Sequence, residues 1–104
     1  MNKKSLNERV ETIVFSVIDE INQQLTKTKQ LKKTKDTVLF GKLGVLDSLG
    51  LVNLIVAIEQ RIEEEFGITI TLADEKAMSQ KNSPFRTVKT IMDYVFTLLE
   101  GKIQ

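Results

Sequence analysis

The residues with the clearest chemical potential are Asp47 and Ser48, which stand directly before an apolar-periodic stretch. Both are favoured N-cap residues, so the pattern predicts that a helix begins at this pair. A serine at a helix start presents its hydroxyl to solvent beside backbone N–H groups that favour an anion. The chain contains no histidine and no cysteine, so it has neither the commonest general base nor a thiol nucleophile. This combination suits a hydroxyl that another enzyme modifies better than one that catalyses a reaction.

The amino-acid composition excludes several classes of protein. The 104 residues are 41% hydrophobic and 28% charged, which predicts one domain over residues 1–104 with a single modest core. The absence of cysteine and histidine argues against a disulfide scaffold, a metal site and a self-sufficient enzyme. The longest nearly apolar stretch, Leu49 to Ile58, is much shorter than the roughly 20 residues of a membrane span. Glu8, Arg9 and Glu11 occupy positions where a signal peptide has its apolar run. We therefore expect a monomeric, cytoplasmic protein without a membrane span.

Apolar periodicity predicts three long helices. The first begins at a capping-box pattern formed by Ser5 and Glu8, and it ends near Gln24 or Leu25. The second runs from Ser48 to Phe66, and Gly67 follows it where a left-handed C-terminal cap belongs. The last begins near Thr87. Their apolar stripes predict the core, which comprises Leu6, Val10, Ile13, Val14, Val17, Ile18, Ile21 and Leu25 in the first helix, Leu51, Leu54, Ile55, Ile58, Ile62 and Phe66 in the second, and Val88, Ile91, Met92, Val95, Leu98 and Leu99 in the last.

The connections are predicted to be irregular, apart from one short helix. The lysine-rich segment 26–36 contains a single apolar residue, Leu31, and is expected to be a solvated loop. Residues 68–71 alternate apolar and polar side chains but are too few to found a sheet, so they are expected to form an extended connector. A short helix opens at Thr71 or Leu72, with two acidic residues near its positive end. The predicted fold is therefore all-α, an irregular four-helix bundle of three long helices and one short third helix.

The most informative motif surrounds Ser48. Leu43-Gly44-Val45-Leu46-Asp47-Ser48-Leu49 leads into an apolar helix, which closes with Glu-Glu-Glu-Phe-Gly-Ile at residues 63–68. An acidic segment follows, and Thr87-Val88 and Met92-Asp93-Tyr94-Val95 come later. Together these features resemble the acyl carrier protein family, the small helical carriers of fatty acid, polyketide and related biosynthesis. The resemblance covers Phe40 to about Leu99.

The resemblance implies a site and a cofactor. The family's serine in Asp-Ser-Leu carries a covalent 4′-phosphopantetheine; it corresponds here to Ser48, with Asp47 and Leu49 completing the attachment motif. A phosphopantetheinyl transferase moves this group from coenzyme A onto the hydroxyl, and acyl groups are then carried as thioesters on its thiol. The implied partners are that transferase, an acyl ligase or acyltransferase and downstream biosynthetic enzymes, while the protein itself is not an enzyme. Asp47 either only caps the helix or also orients the transferase's metal or base.

The resemblance also implies a surface for partner enzymes beside the prosthetic group. That surface is expected to comprise Leu49, Leu51, Asn53 and Val56. For Leu49, Val52 and Val56 the alternative is ordinary core. An attached chain is expected to fold back into a cavity lined by Leu54, Ile58, Ile62, Ile68 and Met92, although these side chains could equally fill a dry core.

The helix after Ser48 differs from that of typical carriers, which are strongly acidic and are recognised by basic patches on partner enzymes. Its first acidic residue is Glu59, and Gln60-Arg61-Ile62 reads as an insertion that lengthens the helix by about one turn. We therefore predict a specialised, pathway-specific carrier with a more apolar contact surface.

Other functions stay open at this point. The same serine chemistry serves aminoacyl and peptidyl carriers, and an apolar helix could instead serve a non-catalytic helical adaptor. The net charge is +1, but residues 1–46 carry +4 and residues 47–77 carry −5. A nucleic-acid-binding domain would use the lysines between Lys27 and Lys35, yet no predicted helix carries a basic stripe. We therefore expect no nucleic-acid partner.

Overall fold

The computed structural model describes residues 3–27, 30–40, 44–72 and 84–103. Within these ranges lie three α-helices: α1 (Lys3–Asn22), α2 (Ser48–Phe66) and α3 (Val88–Ile103). No strand occurs in the described residues, and their single β feature is an isolated antiparallel bridge. The described fold is therefore all-α. None of its helices has both the length and the apolar character needed to cross a membrane.

The predicted short helix falls mostly outside the described residues. Thr71 and Leu72, at which it was expected to open, are described and are not helical. Residues 68–71, predicted to be an extended connector, have no regular secondary structure, so no strand forms there, in agreement with the prediction. Buried Ile70 and Leu72 anchor this connector to the core.

Helix α1 buries the predicted stripe from Leu6 to Ile18, whereas Ile21 is half-buried and Leu25 is half-buried beyond the helix. The ends of the helix also differ from the prediction. It begins at Lys3, two residues before the predicted cap, so the prediction that Ser5 caps this helix is wrong. It ends at Asn22, earlier than the predicted Gln24 or Leu25. There the side-chain amide of Asn22 donates to the Leu31 carbonyl over 2.8 Å and accepts from the Leu31 amide over 2.7 Å. This pair of bonds fixes the returning chain beside the helix end, a long-range contact that periodicity does not reveal.

The lysine-rich segment is solvated as predicted, but it is attached to α1. Leu31 is buried in the core, whereas the described lysines of the segment are exposed. Lys33 pairs with Asp19 over 3.2 Å, and Lys35 approaches Glu11 over 3.9 Å. The segment therefore lies along α1, held by one apolar anchor and by exposed ion pairs of small energetic value.

Helix α2 has the predicted bounds. Its C-terminal cap is Gly67, which follows Phe66. The φ of Gly67 is left-handed at 65°, and its amide donates to the Glu63 carbonyl over 2.9 Å. Such a C-terminal cap favours glycine because it carries no Cβ. The predicted stripe is buried except for Phe66, which is half-buried beneath the Arg9 guanidinium at 4.1 Å from the ring centre.

Arg61 links α2 to α1. Its guanidinium donates to the Ser16 hydroxyl over 3.0 Å and pairs with the Glu20 carboxylate. In the sequence, Arg61 is only part of an apparent insertion. In the structure, its side chain links α2 to α1. Arg9 reinforces the same packing by pairing with Glu65 over 3.7 Å.

Helix α3 begins at Val88, next to the predicted start. Thr87 and Thr90 cap it reciprocally: the Thr90 amide donates to the Thr87 hydroxyl over 3.1 Å, and the Thr87 amide donates to the Thr90 hydroxyl over 3.0 Å. Helix α1 packs against both α2 and α3. The predicted stripe of α3 is buried apart from Leu98, which is half-buried at the edge of the core.

Candidate functional site

The start of α2 is tied to the start of α3 through one extended segment. The Leu39 amide donates to the Arg86 carbonyl over 2.8 Å, and the Val88 amide donates to the Thr37 carbonyl over 3.0 Å. On the same segment, the Leu39 carbonyl accepts from the Leu46 amide over 3.0 Å. Buried Leu39 and Leu46 therefore secure the chain on either side of the approach to α2. The hydrogen bonds therefore hold residues 37–39 and Leu46 in place, while residues 41–43 of the predicted irregular approach lie outside the described residues.

Gly44 allows the close turn that precedes α2. A Cβ at this position would lie 2.5 Å from the Cα of Phe40 and 2.6 Å from its nitrogen. Both atoms belong to the backbone, so no side-chain rotation could relieve the overlap. A larger residue here would force the approach segment to shift.

Asp47 caps α2, as predicted. Its backbone is extended, its side chain accepts from the Gly50 amide over 2.7 Å, and its carbonyl accepts from the Leu51 amide over 2.9 Å. The side-chain bond satisfies one of the four amides that a helix start leaves without helical partners, and the carbonyl bond is the first hydrogen bond of the helix itself. Ser48 is the first residue of the helix. The predicted attachment position therefore stands at the N-terminus of a capped helix.

The exposed apolar face comprises Leu49, Val52 and Val56 of α2, which together with Val45 are the exposed large hydrophobic residues in the described part of the chain. Leu49 is 69% exposed and Val56 is 40% exposed, so the alternative that they are ordinary core is wrong. Val52, at 38%, belongs to the same face although the predicted partner surface omits it. Its spacing of three from Leu49 and four from Val56 is the signal that could have included it.

Leu51 is part of the predicted partner surface, but the structure does not expose it. It is only 1% exposed and packs in the core, so its inclusion there is wrong. Successive residues of a helix lie about 100° apart around its axis. Leu51 therefore falls on the buried stripe with Leu54, Ile55 and Ile58, whereas its exposed neighbours fall on the other side of α2. Asn53 is exposed, as that surface requires.

The residues expected to line an acyl cavity are mainly core residues. Leu54, Ile58 and Ile62 are fully buried, Met92 is buried, and Ile68 is half-buried. Met92 also lines a separate cleft of about 240 Å³, which lies between α1 and α3 and includes Glu11 and Lys35. Whether an attached chain can enter between these side chains stays a prediction.

A larger cleft, the α2 cleft, continues the exposed apolar face. It measures about 380 Å³ and is lined by Val56, Glu59, Gln60, Glu63, Thr69, Ile70 and Thr71. The Glu59 carboxylate accepts from the Leu72 amide over 2.6 Å, which holds the connector against α2 and forms the far wall of the cleft. The sequence pattern did not predict this cleft. The spacing of four between Glu59 and Glu63 put both residues on one helix face, but the opposite wall depends on how the connector packs.

Comparison of the chain with protein-family models, with curated proteins and with solved structures found no match.

Proposed function

We propose that this protein is an acyl carrier whose Ser48 hydroxyl bears a covalent 4′-phosphopantetheine. The observation that supports this most is the position of Ser48 as the first residue of α2, directly after the capping Asp47 and before the exposed Leu49. This is where the Asp-Ser-Leu motif of the resembling family needs a helix to begin. Acyl intermediates would be carried on this arm between biosynthetic enzymes.

The residues at this position suit the group. A phosphodiester on Ser48 would stand at the N-terminus of α2, where the helix dipole and first-turn amides stabilise negative charge. Asp47 and Leu49 on either side are exposed, so an arm attached between them would not need to displace the core. When bound, the group supplies a thiol for thioester formation, which a chain without cysteine cannot supply itself.

The modification is a transfer of the phosphopantetheinyl group from coenzyme A. The Ser48 oxygen forms a bond to the β-phosphorus of coenzyme A, the pyrophosphate P–O bond breaks, and adenosine 3′,5′-bisphosphate leaves. The hydroxyl proton passes to a base of the transferase, since the chain has no histidine for this role. The chain's own part is positional: Asp47 begins the helix at the hydroxyl, and the Leu39–Leu46 hydrogen bond holds the approach segment.

The exposed apolar face is the proposed contact surface for partner enzymes. Leu49, Val52 and Val56 are exposed along the first half of α2, where no acidic residue occurs before Glu59. A partner that recognises this half of the helix would bury apolar area and gain little from ion pairs. This supports a specialised carrier served by a dedicated ligase or acyltransferase in fatty-acid, polyketide or related metabolism. The proposed location is the cytoplasm, where coenzyme A is available.

The absence of cysteine gives a direct test. The purified protein is incubated with coenzyme A, magnesium and a promiscuous phosphopantetheinyl transferase, and free thiol is measured after small molecules are removed. We expect one thiol per chain and a mass increase of one phosphopantetheine group on Ser48. Ser48→Ala should abolish both signals, whereas Ser5→Ala, a matched change at the start of α1, should preserve them. A wild-type chain that remains unmodified while its circular dichroism shows it to be folded would refute the proposal.

The contact surface is tested separately by loading. A housekeeping acyltransferase is offered the modified protein and a typical acidic carrier at equal concentration. We expect much slower loading of this protein, because the first half of α2 lacks the carboxylates that such an enzyme binds. Comparable loading of the two would contradict the specialised surface while leaving the carrier function intact.

A second candidate function is a helical adaptor that binds a partner through the exposed apolar face. The observation in its favour is the exposure of Leu49, Val52 and Val56 on one helix without any covering element in the described residues. This function needs no modification, so an adaptor would bind its partner equally well with Ser48→Ala. A carrier would lose all transfer activity with the same change.

A further inference from the structure

We infer that the enzymes acting on this protein present a carboxylate to Arg86, which directly precedes the capping Thr87 of α3. The inference rests on the proposed function, since it concerns the surface that such enzymes cover around Ser48. It goes beyond that function by adding a charged contact outside α2 and by fixing the sign of the partner's complementary group. Three observations carry it: the position of Arg86, the charges around it and the area that an enzyme has to cover.

Backbone hydrogen bonds hold Arg86 close to the attachment position. The Leu39 amide donates to the Arg86 carbonyl over 2.8 Å, and the Leu39 carbonyl accepts from the Leu46 amide over 3.0 Å. Extended segments bonded in this way lie about 5 Å apart, so the backbones of Arg86 and Leu46 are at most about 10 Å apart. Leu46 precedes Ser48 by two residues, which add at most about 7 Å. The backbone of Arg86 therefore lies within about 17 Å of Ser48.

The charge of Arg86 has no counterpart in the described part of the chain. Its side chain is exposed, and no ion pair or hydrogen bond there includes its guanidinium. The two neighbouring lysines differ, because Lys89 pairs with Asp93 over 3.5 Å and Lys35 approaches Glu11 over 3.9 Å. Of these three cations, Arg86 is the one that no described carboxylate faces.

The carboxylates nearest in the chain to these elements do not offset this charge. The Asp47 side chain accepts from the Gly50 amide, and exposed Asp36 forms no ion pair with Arg86. On α2 the first acidic residue is Glu59, about 17 Å along the axis from the start of the helix. The surface around the attachment position therefore combines an apolar face with an unmatched positive charge.

An enzyme that acts at Ser48 has to cover Arg86. A stable interface buries about 800 Å² on each partner, and a round patch of this area has a radius of about 16 Å. Centred on Ser48, such a patch contains Val56, about 12 Å away along the helix axis, and extends to the region of Arg86. Covering an arginine without a partner is costly because its charge loses water. A carboxylate offers the guanidinium two parallel charge-assisted hydrogen bonds, so an acidic side chain is the group that fits.

Two measurements test the inference, with Lys4→Glu as the matched control for Arg86→Glu. Lys4 is exposed near the start of α1. This part of α1 lies at the far end of α2 from Ser48, where Arg9 contacts Phe66. Both substitutions change the net charge of the protein by the same amount, and circular dichroism verifies that both variants are folded. Any difference between them therefore reports the position of the charge.

The first measurement determines whether an enzyme covers Arg86. The kcat/KM for modification of Ser48 by a promiscuous phosphopantetheinyl transferase is measured by mass spectrometry for wild type and the two variants. We expect Arg86→Glu to change kcat/KM by about threefold or more, and Lys4→Glu to leave it nearly unchanged. Equal effects of the two substitutions, or no effect of Arg86→Glu, would overturn the inference. A wild-type chain that takes no arm at all would instead refute the proposed function.

The second measurement determines the sign of the complementary group and needs no arm. Unmodified protein is titrated with the peptide Glu-Glu-Leu-Leu-Glu-Glu or with Lys-Lys-Leu-Leu-Lys-Lys, and amide proton–nitrogen NMR spectra are recorded. We expect the glutamate peptide to bind wild type at least about fivefold more tightly, to shift the signals of residues 49–56 and 86–89, and to bind less well at high salt. Arg86→Glu should remove this preference, and Lys4→Glu should preserve it. Indistinguishable spectra with the two peptides, tighter binding of the lysine peptide, or equal losses in both variants would contradict the inferred contact.

Discussion

The cap of α2 offers the sharpest test of how the site is built. Asp47→Ala removes the carboxylate that accepts from the Gly50 amide over 2.7 Å, so one first-turn donor loses its protein partner. Loss of such a cap costs about 1 kcal/mol. For a domain near 100 residues, this lowers the midpoint of thermal unfolding by about 4 to 8 °C. Asp47→Asn keeps an acceptor oxygen in the same place, so its cost should be only a few tenths of a kcal/mol.

Thermal and urea unfolding followed by circular dichroism measure this difference. The capping argument would be refuted if Asp47→Ala had the same midpoint of thermal unfolding as wild type. It would also be refuted if Asp47→Asn lowered that midpoint as much as Asp47→Ala does. The same pair of variants also separates capping from recognition. If Asp47 additionally orients the transferase's metal or base, Asp47→Asn should be nearly as stable as wild type yet be modified more slowly, because the amide carries no charge.

Three further changes test the packing that supports the site. Ile58→Ala removes most of a fully buried side chain and should cost about 2 to 5 kcal/mol, measured by urea unfolding. Arg61→Ala removes the half-exposed link to Ser16 and Glu20, and it should cost about 0.5 to 1 kcal/mol with a smaller effect at high salt. Gly67→Ala puts a Cβ on a residue with a φ of 65° and should cost about 1 kcal/mol in the same assay.

Each of these changes has a control. Val56→Ala shortens a 40%-exposed side chain on the same helix, so equal losses for it and for Ile58→Ala would contradict the assigned core. A salt-independent effect of Arg61→Ala would show that the packing of its stem matters more than its charge. Gly101→Ala, in α3 with open space around its Cβ, should be neutral or slightly stabilising, and a loss as large as that of Gly67→Ala would contradict the backbone argument.

Much of α2 was predictable because its signals are local. The cap at Asp47, the bounds Ser48 to Phe66 and the left-handed Gly67 all depend on residues within one or two turns. The same reasoning failed at Ser5, where a capping-box pattern occurs inside α1. Such a pattern identifies a suitable cap, but it cannot show whether the residues before it also find stabilising helical contacts.

The extent of the exposed apolar face was harder to predict. Leu51 and Val52 are adjacent apolar residues, yet one is 1% exposed and the other 38%. Their difference follows from which side of α2 the rest of the chain covers. The α2 cleft likewise depends on the hydrogen bond between Glu59 and Leu72, thirteen residues apart, which no periodic pattern encodes.

The sequence by itself determined where α2 and α3 begin, how α2 is capped, which stripes are buried and which hydroxyl stands at a helix start. These features follow from side-chain spacing and from short-range hydrogen bonds. Only the tertiary structure decided that residues 37–39 join the starts of α2 and α3, that Arg61 fastens α2 to α1, and that Glu59 and Glu63 face a cleft. Each of these depends on residues distant in the chain, whose meeting is decided by the packing of the whole core and not by local conformational preference.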